Sequence, residues 1–229
     1  MRSGTDTELR PDIDSLKAIA RGILPREIAF ACSGTDGDVN QLFSSERAEL
    51  EHAIRRRQAE FAAGRFAARD ALAQLGLAPI AIPVGPQRAP IWPAGITGSI
   101  SHCRNAAIAI AAHLHGNIGF VGIDVEDTLR LDRGLWPGVF TEREQNWLEG
   151  KPDPEHWAMA FFSIKEAAYK AQYPATKMLL DFLDVEVEIT SQEGRFGARI
   201  KTANSGLLAG RFAIGATHIL AFATCPMPG

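Results

Sequence analysis

The sequence predicts an α+β protein of two similar subdomains, on three observations. Strand-like runs, a run of strong helix formers and further strand-like runs occur in each half, so the division falls near residue 117. The 229 residues suffice for one large domain or two small ones with a substantial core. Hydrophobic residues make up 46% and charged residues 22%, as in a soluble globular protein. The expected units are residues 1–116 and 117–229.

In chain order, roughly the first ten residues are polar and expected to be loosely held. EIAFACS (27–33) reads as a strand ended by the turn residues GTDGD. Residues 45–75 are mostly helix formers with Gly76 as the stop, so one helix is expected there. The passage APIAIPVGPQRAPIWPAG is too rich in proline for regular helix and is expected to run extended over the surface. AAIAIAA (106–112) and NIGFVGIDVE (117–126) read as two strands of a hairpin closed through Gly116 and Asn117. A helix then opens at Asp153 as N-cap with Pro154 at the first helical position, and is expected to stop at Tyr173-Pro174. VEVEI (185–189), RFGARI (195–200) and a last pair around Gly215 read as strands.

Composition excludes some functions. A net charge of −3 provides no basic field for nucleic acid. The most apolar run is too short for a membrane span, and MRSGTDTELR lacks the apolar core of a secretory signal. Cys32, Cys103 and Cys225 are odd in number, far apart and without metal-ligand spacing, which points to a reduced, cytoplasmic protein.

Three stretches carry chemistry. In NIGFVGIDVE, Val121, Ile123 and Val125 share one face, whereas Asp124 and Glu126 share the other, about 7 Å apart. Two such charges repel by about 2 kcal/mol at an effective dielectric of about 20, and a cation between them reverses that sign. Oxygen-only ligands suit Mg²⁺ or Mn²⁺; a solvated acidic strand end, extended by Asp127, is the competing account. If the hairpin reverses near residue 116, the segment GSISHC (98–103) falls at the same end, placing His102 beside the acids.

In WAMAFFSIKEAAYKAQY (157–173), Trp157, Phe161, Ile164, Ala168 and Ala171 form one apolar stripe. Glu166 and Lys170 lie opposite, one turn apart, and Lys165 flanks the stripe. Such exposed i,i+4 ion pairs are common, and taken alone this spacing favours one. The segment AIRRRQAEFAAGRFAARDAL carries Arg55, Arg56, Arg57, Arg65 and Arg69, which either pair with Glu60 and Asp70 or clamp a phosphate. Gly64 in mid-helix costs about 1 kcal/mol relative to Ala, a cost that suggests close approach by another backbone or a ligand.

Together, RRRQAEFAAGRFAARDAL, RAPIWPAGITGSISHC, VGIDVE and FFSIKEAAYKA resemble the 4′-phosphopantetheinyl transferases, in particular their monomeric two-subdomain group. The resemblance implies two subdomains about a pseudo-twofold axis, with coenzyme A and Mg²⁺ (or Mn²⁺) in the cleft between them. It implies transfer of the phosphopantetheine arm to a serine of an apo acyl or peptidyl carrier protein, with release of adenosine 3′,5′-bisphosphate. The carriers of such enzymes serve siderophore, nonribosomal peptide, polyketide or fatty acid synthesis. Asp124, Glu126 and Glu166 would hold the metal, Glu166 would also be the general base, and Lys170 would neutralise the leaving group. Lys165, Ser101 and His102 would contact the coenzyme. Arg57, Arg65 and Arg88 would hold its 3′-phosphate, with Arg55, Arg56 and Arg69 as competitors. The family often has Trp where this chain has Phe161 or Phe162. Two other classes use the same residues: a metal-dependent hydrolase of coenzyme A, with water as acceptor, and a non-enzymatic adaptor that binds coenzyme or carrier.

Overall fold

A computed structural model describes residues 12–115, 118–191, 194–201 and 207–227, without the side chains of Glu49 and Ser191. The expected loose N-terminal segment and the Gly116-Asn117 turn lie outside them. The fold is α+β, with two antiparallel sheets and helices packed on them.

Helix α1 (Ile13–Ile23), which the sequence reading did not identify, opens on Asp12, whose carboxylate accepts from Ser15 N. It buries Leu16, Ala20 and Ile23 along one stripe. Strand β1 (Ala29–Ser33) follows. The long helix expected over residues 45–75 is divided: α2 (Ser44–Arg47) and a 3₁₀ turn precede α3 (Arg55–Gln74). Gly76, at φ +80°, ends it in the left-handed conformation that glycine adopts without strain.

Strands β2 (Ile96–His102) and β3 (Ala107–His113) form the true hairpin of the first half, giving the sheet order β1-β3-β2. The expected pairing of residues 106–112 with 117–126 is therefore incorrect. From Ala107 to Ala112 every residue of β3 is buried, so it takes a central place between two partners. Its Ile108, Ile110 and Ala112 enter a core shared with α1. Ala109 and Ala111 face Ala67, Ala68, Ala71 and Leu72 of α3.

Strand β4 (Phe120–Asp127) belongs to the second sheet, of order β4-β8-β7-β6-β5. Short helices α4 (Trp136–Val139) and α5 (Glu142–Glu149) separate it from α6 (Pro154–Thr176). The sheet is completed by β5 (Val185–Ser191), β6 (Arg195–Ile200), β7 (Leu208–Ile214) and β8 (His218–Cys225). Helix α6 begins at Pro154 as expected but passes through Pro174 and closes three residues later. There Lys177, at φ 57°, donates its N–H to Tyr173 O. Among the described residues no helix is long and apolar enough to cross a membrane.

The two sheets meet along the edges of β2 and β4, and hydroxyls bridge the seam. Val121 N donates to Thr97 Oγ1 at 3.2 Å and Val125 N to Ser101 Oγ at 3.3 Å. The constant offset between partners means the strands run alongside in the same direction. Small hydroxyl residues stand in β2 because they satisfy backbone donors that β4 would otherwise leave unpaired at a buried edge. His102 therefore lies beside Glu126, by a different route from the expected hairpin.

Candidate active site

The seam opens into a cleft of about 440 Å³, lined from one half by Arg57, Arg65, Arg88, Ser101 and His102 and from the other by Asp124, Glu126, Glu166 and Lys170. Strand alternation turns Val121, Ile123 and Val125 into the core and leaves Asp124 and Glu126 on the opposite face. Two residues before Asp124 and on the same face, Gly122 admits α6 so closely that a Cβ there would stand 2.0 Å from Ala167 O. This contact holds Glu166 and Lys170 over β4. Helix α6 is buried on most of its surface, so Glu166 and Lys170 are half-buried in the cleft rather than an exposed surface pair.

Asp124 is the hub. Its Oδ1 accepts from Lys170 Nζ at 2.6 Å and from Ser101 Oγ at 2.8 Å, and Lys170 also donates to Ser101 Oγ at 3.1 Å. Oδ2 is buried with no hydrogen-bond partner. A carboxylate oxygen so placed carries a desolvation cost that a cation would offset. Burial, reinforced by Asp124, pushes Glu126 up to about 8. Burial and then Asp124 raise Glu166 as well, against the opposing pull of Lys170. Burial alone would lower Lys170, but Asp124 and Glu166 outweigh it and hold the ammonium above its ordinary value. Three oxygen donors short of positive charge fit a hard divalent cation. They do not, however, bring one oxygen each within 4.8 Å of one another; among the described residues that spacing is met elsewhere, by Cys103, Asp127 and His218.

The basic wall is sorted by its partners. Arg57 donates from Nη1 to His102 Nε2 at 2.7 Å. A guanidinium cannot accept, so the ring is neutral, with its proton on Nδ1. Burial and then Arg57 lower His102 below its ordinary value. Arg65 is buried, donates to Ile82 O at 2.8 Å and lies 4.2 Å from the centroid of Phe61. Burial brings its guanidinium down to about 10. Arg88 reaches the cleft from a tight turn in the proline-rich segment, where Gln87 and Arg88 take φ 54° and 60°. That segment is not merely superficial. Ile82 is buried, and its N–H donates to the buried Glu46, which also holds Arg69 at 2.9 Å.

Arg56 is paired with Glu60 at 2.8 Å, and neither it, Arg55 nor Arg69 lines the cleft. Gly64 answers the question its cost raised: a Cβ there would meet Ile100 Cγ2 at 2.9 Å, so α3 lies directly on β2. Glu60, Phe61 and Phe162, which were not expected among the site residues, also line the cleft. The helical spacing of residues 57, 61 and 65 was the available signal.

Lys165, expected at the coenzyme, does not line the cleft. It points away from the cleft, pairing with Glu144 at 2.7 Å, both side chains out of water, and donating to Val139 O and Phe182 O at 2.9 Å. Glu144 also accepts from Val187 N at 2.7 Å. Lys165 thus ties α5 and β5 to α6 and has no proton free for a coenzyme.

Residues 45–112 match the 4′-phosphopantetheinyl transferase N-terminal domain, and residues 120–217 match the 4′-phosphopantetheinyl transferase superfamily. The chain is 40% identical over 172 residues to the 4′-phosphopantetheinyl transferase Svp of Streptomyces mobaraensis, covering 72% of this chain and 68% of that protein. It is 34% identical over 174 residues to Npt of Nocardia iowensis, covering 76% and 78% respectively. Enterobactin synthase component D of Escherichia coli (strain K12) is 35% identical over 143 residues, 61% of this chain and 66% of that protein. Both halves of the cleft fall within these matches, and the chain belongs to the 4′-phosphopantetheinyl transferase superfamily.

Proposed function

We propose that this enzyme transfers the 4′-phosphopantetheine arm of coenzyme A to a serine hydroxyl of an apo acyl or peptidyl carrier protein, releasing adenosine 3′,5′-bisphosphate. The observation that supports this most is the charge division of one cleft: carboxylates around a partnerless Asp124 oxygen on one wall, arginines on the other. That arrangement suits a ligand with a diphosphate at one end and a separate phosphate at the other.

Bound Mg²⁺ or Mn²⁺, with Asp124, Glu126 and Glu166 as its ligands, would supply positive charge to the diphosphate. The remaining roles belong to the chain. Arg57, Arg65 and Arg88 take the 3′-phosphate, where a planar fork matches phosphate oxygens. Glu166, its affinity for protons raised by burial, accepts the serine proton directly or through water. A bond forms from the serine oxygen to the β-phosphorus as the bond from that phosphorus to the bridging oxygen breaks. Lys170 balances the charge left on the departing bisphosphate. His102, neutral and braced by Arg57, serves the coenzyme phosphates or ribose; Ser101 acts on Asp124 and Lys170. The enzyme works as a cytoplasmic monomer. Its carrier docks on apolar surface near the cleft, for which the exposed Leu179 and Leu183 beyond α6 are candidates.

The test is incubation with coenzyme A, Mg²⁺ and apo carrier proteins, read by mass spectrometry. The expected result is a carrier-dependent gain of about 340 Da. Bisphosphate release at the same rate without carrier would overturn the reading in favour of hydrolysis.

A further inference from the structure

The seam that builds the cleft continues one residue further, past His102 and Glu126 to Cys103 and Asp127. The β4–β8 register places His218 directly opposite Asp127. A sulfur, a carboxylate oxygen and an imidazole nitrogen from three distant parts of the chain thereby lie within 4.8 Å of one another. From geometry alone, an ion among them can stand within about 2.8 Å of each donor, a small adjustment from zinc bonds of about 2.0–2.3 Å.

The surroundings are those of a built site. Cys103 and His218 are buried, and Asp127 is partly so. Cys103 N donates to Ala106 O, and Gly215 N donates to His218 O. Thr128 donates from N to Thr217 O and from Oγ1 to Gly215 O, which fixes the β4–β8 end. Nδ1 of His218 stands 3.0 Å from Thr217 Oγ1, an orienting contact of the kind that metal-bound histidines use when the other ring nitrogen is the ligand. Two other charged groups are at hand: Arg104 reaches Asp127 only at 3.9 Å and is largely exposed, and Asp12 acts on His218 through its charge.

We propose that Cys103, Asp127 and His218 form a second metal site, for a borderline-soft divalent cation of the zinc class, with water as fourth ligand. The donor set distinguishes it from the oxygen-only cleft: thiolate and imidazole select zinc, whereas carboxylates alone suit magnesium. Binding releases the thiol proton of Cys103 to solvent. The ion joins the end of β2 to the ends of β4 and β8, so it fastens the two sheets immediately behind His102 and Glu126. The proposal is independent of the transferase reading.

The 229-residue chain, with Cys32 and Cys225 replaced by alanine, is equilibrated with Zn²⁺ in excess Mg²⁺, gel-filtered and analysed for metal. One zinc per chain is expected, kept by a Glu126→Gln/Glu166→Gln double variant and lost by Cys103→Ala and by His218→Ala. Zinc retained by Cys103→Ala, or lost with the two glutamates, would place it elsewhere and overturn the proposal. Should the ligand variants fail to fold, Co²⁺ added to the Cys32, Cys225-free chain decides. A thiolate-to-cobalt charge-transfer band supports the site, and its absence overturns it in favour of a purely hydrogen-bonded cluster.

Discussion

At Asp124, one carboxylate oxygen is committed to Lys170 and Ser101 while the other is buried without a partner. Glu166 sits a turn before Lys170, close enough for the ammonium to lower the proton affinity of the carboxylate and for the carboxylate to raise that of the ammonium. If Glu166 accepts the serine proton, Glu166→Gln should lower kcat by at least about 10²-fold, the usual scale of general-base catalysis. KM for coenzyme A should move far less. Single-turnover transfer with saturating carrier checks this; a change confined to KM would remove Glu166 from the proton transfer. His102 gives a pH prediction. Its folded proton affinity lies below the ordinary value near 6.5, so as pH falls the unfolded chain takes up that proton first. The contribution of the neutral ring is present above about pH 6.5 and is lost as pH falls through the depressed value. Denaturant titrations from pH 7 to 5 should show the wild type losing up to about 1.4 kcal/mol per pH unit more than His102→Gln.

At the scale of elements, the site depends on how closely helices lie on strands. An alanine at position 122 would drive Cβ to 2.0 Å from Ala167 O and 2.6 Å from Ala171 N, both backbone atoms of α6. The helix must shift as a body, carrying Glu166 and Lys170 away from Asp124. Gly122→Ala should destabilise the fold by about 1–3 kcal/mol, as overpacking does, and abolish transfer. Gly64→Ala meets only the Ile100 methyl at 2.9 Å and regains about 1 kcal/mol of helix propensity, so its melting temperature should stay close to wild type. Equal losses in the two variants would refute this account of α6. The same contacts explain what was legible in the sequence. Period-two alternation gave the two faces of β4, and helical spacing gave α6, because each reports burial along one element. The partner of β4 was not legible: a seam with β2 is set by hydroxyls more than twenty residues away in sequence, whereas a nearby Gly-Asn turn favoured β3. The position of Lys165 was hidden for a similar reason, since Glu144 belongs to a helix of polar composition. Its sequence signature, the capping box from Thr141 to Glu144, was present and could have placed α5. The polar residues Asp12 and Ser15 similarly mark the start of α1.

For the whole molecule, the question is whether the two sheets are separable. Cutting between residues 116 and 117 leaves each sheet intact but divides a core. Leu16, Ala20, Ile108 and Ile110 from the first part pack with Val121, Ile123, Val125, Leu220 and Phe222 from the second, all fully or nearly fully buried. Each part alone would expose that apolar surface, at roughly 1.5–3 kcal/mol for each large side chain, against a total stability of about 5–15 kcal/mol for a typical protein. The cut would also strip Val121 and Val125 of the hydroxyls that satisfy their N–H groups. We therefore expect a single cooperative transition in calorimetry and denaturant titration, reported identically by far-ultraviolet circular dichroism and by tryptophan fluorescence. Residues 1–116 and 117–229, expressed separately, should each lack cooperative unfolding. Two resolved transitions, or an independently folding half, would show that the seam is a docking interface between autonomous units. A single transition would mean that the cleft exists only when both walls fold together, which makes coenzyme binding and global stability one linked equilibrium.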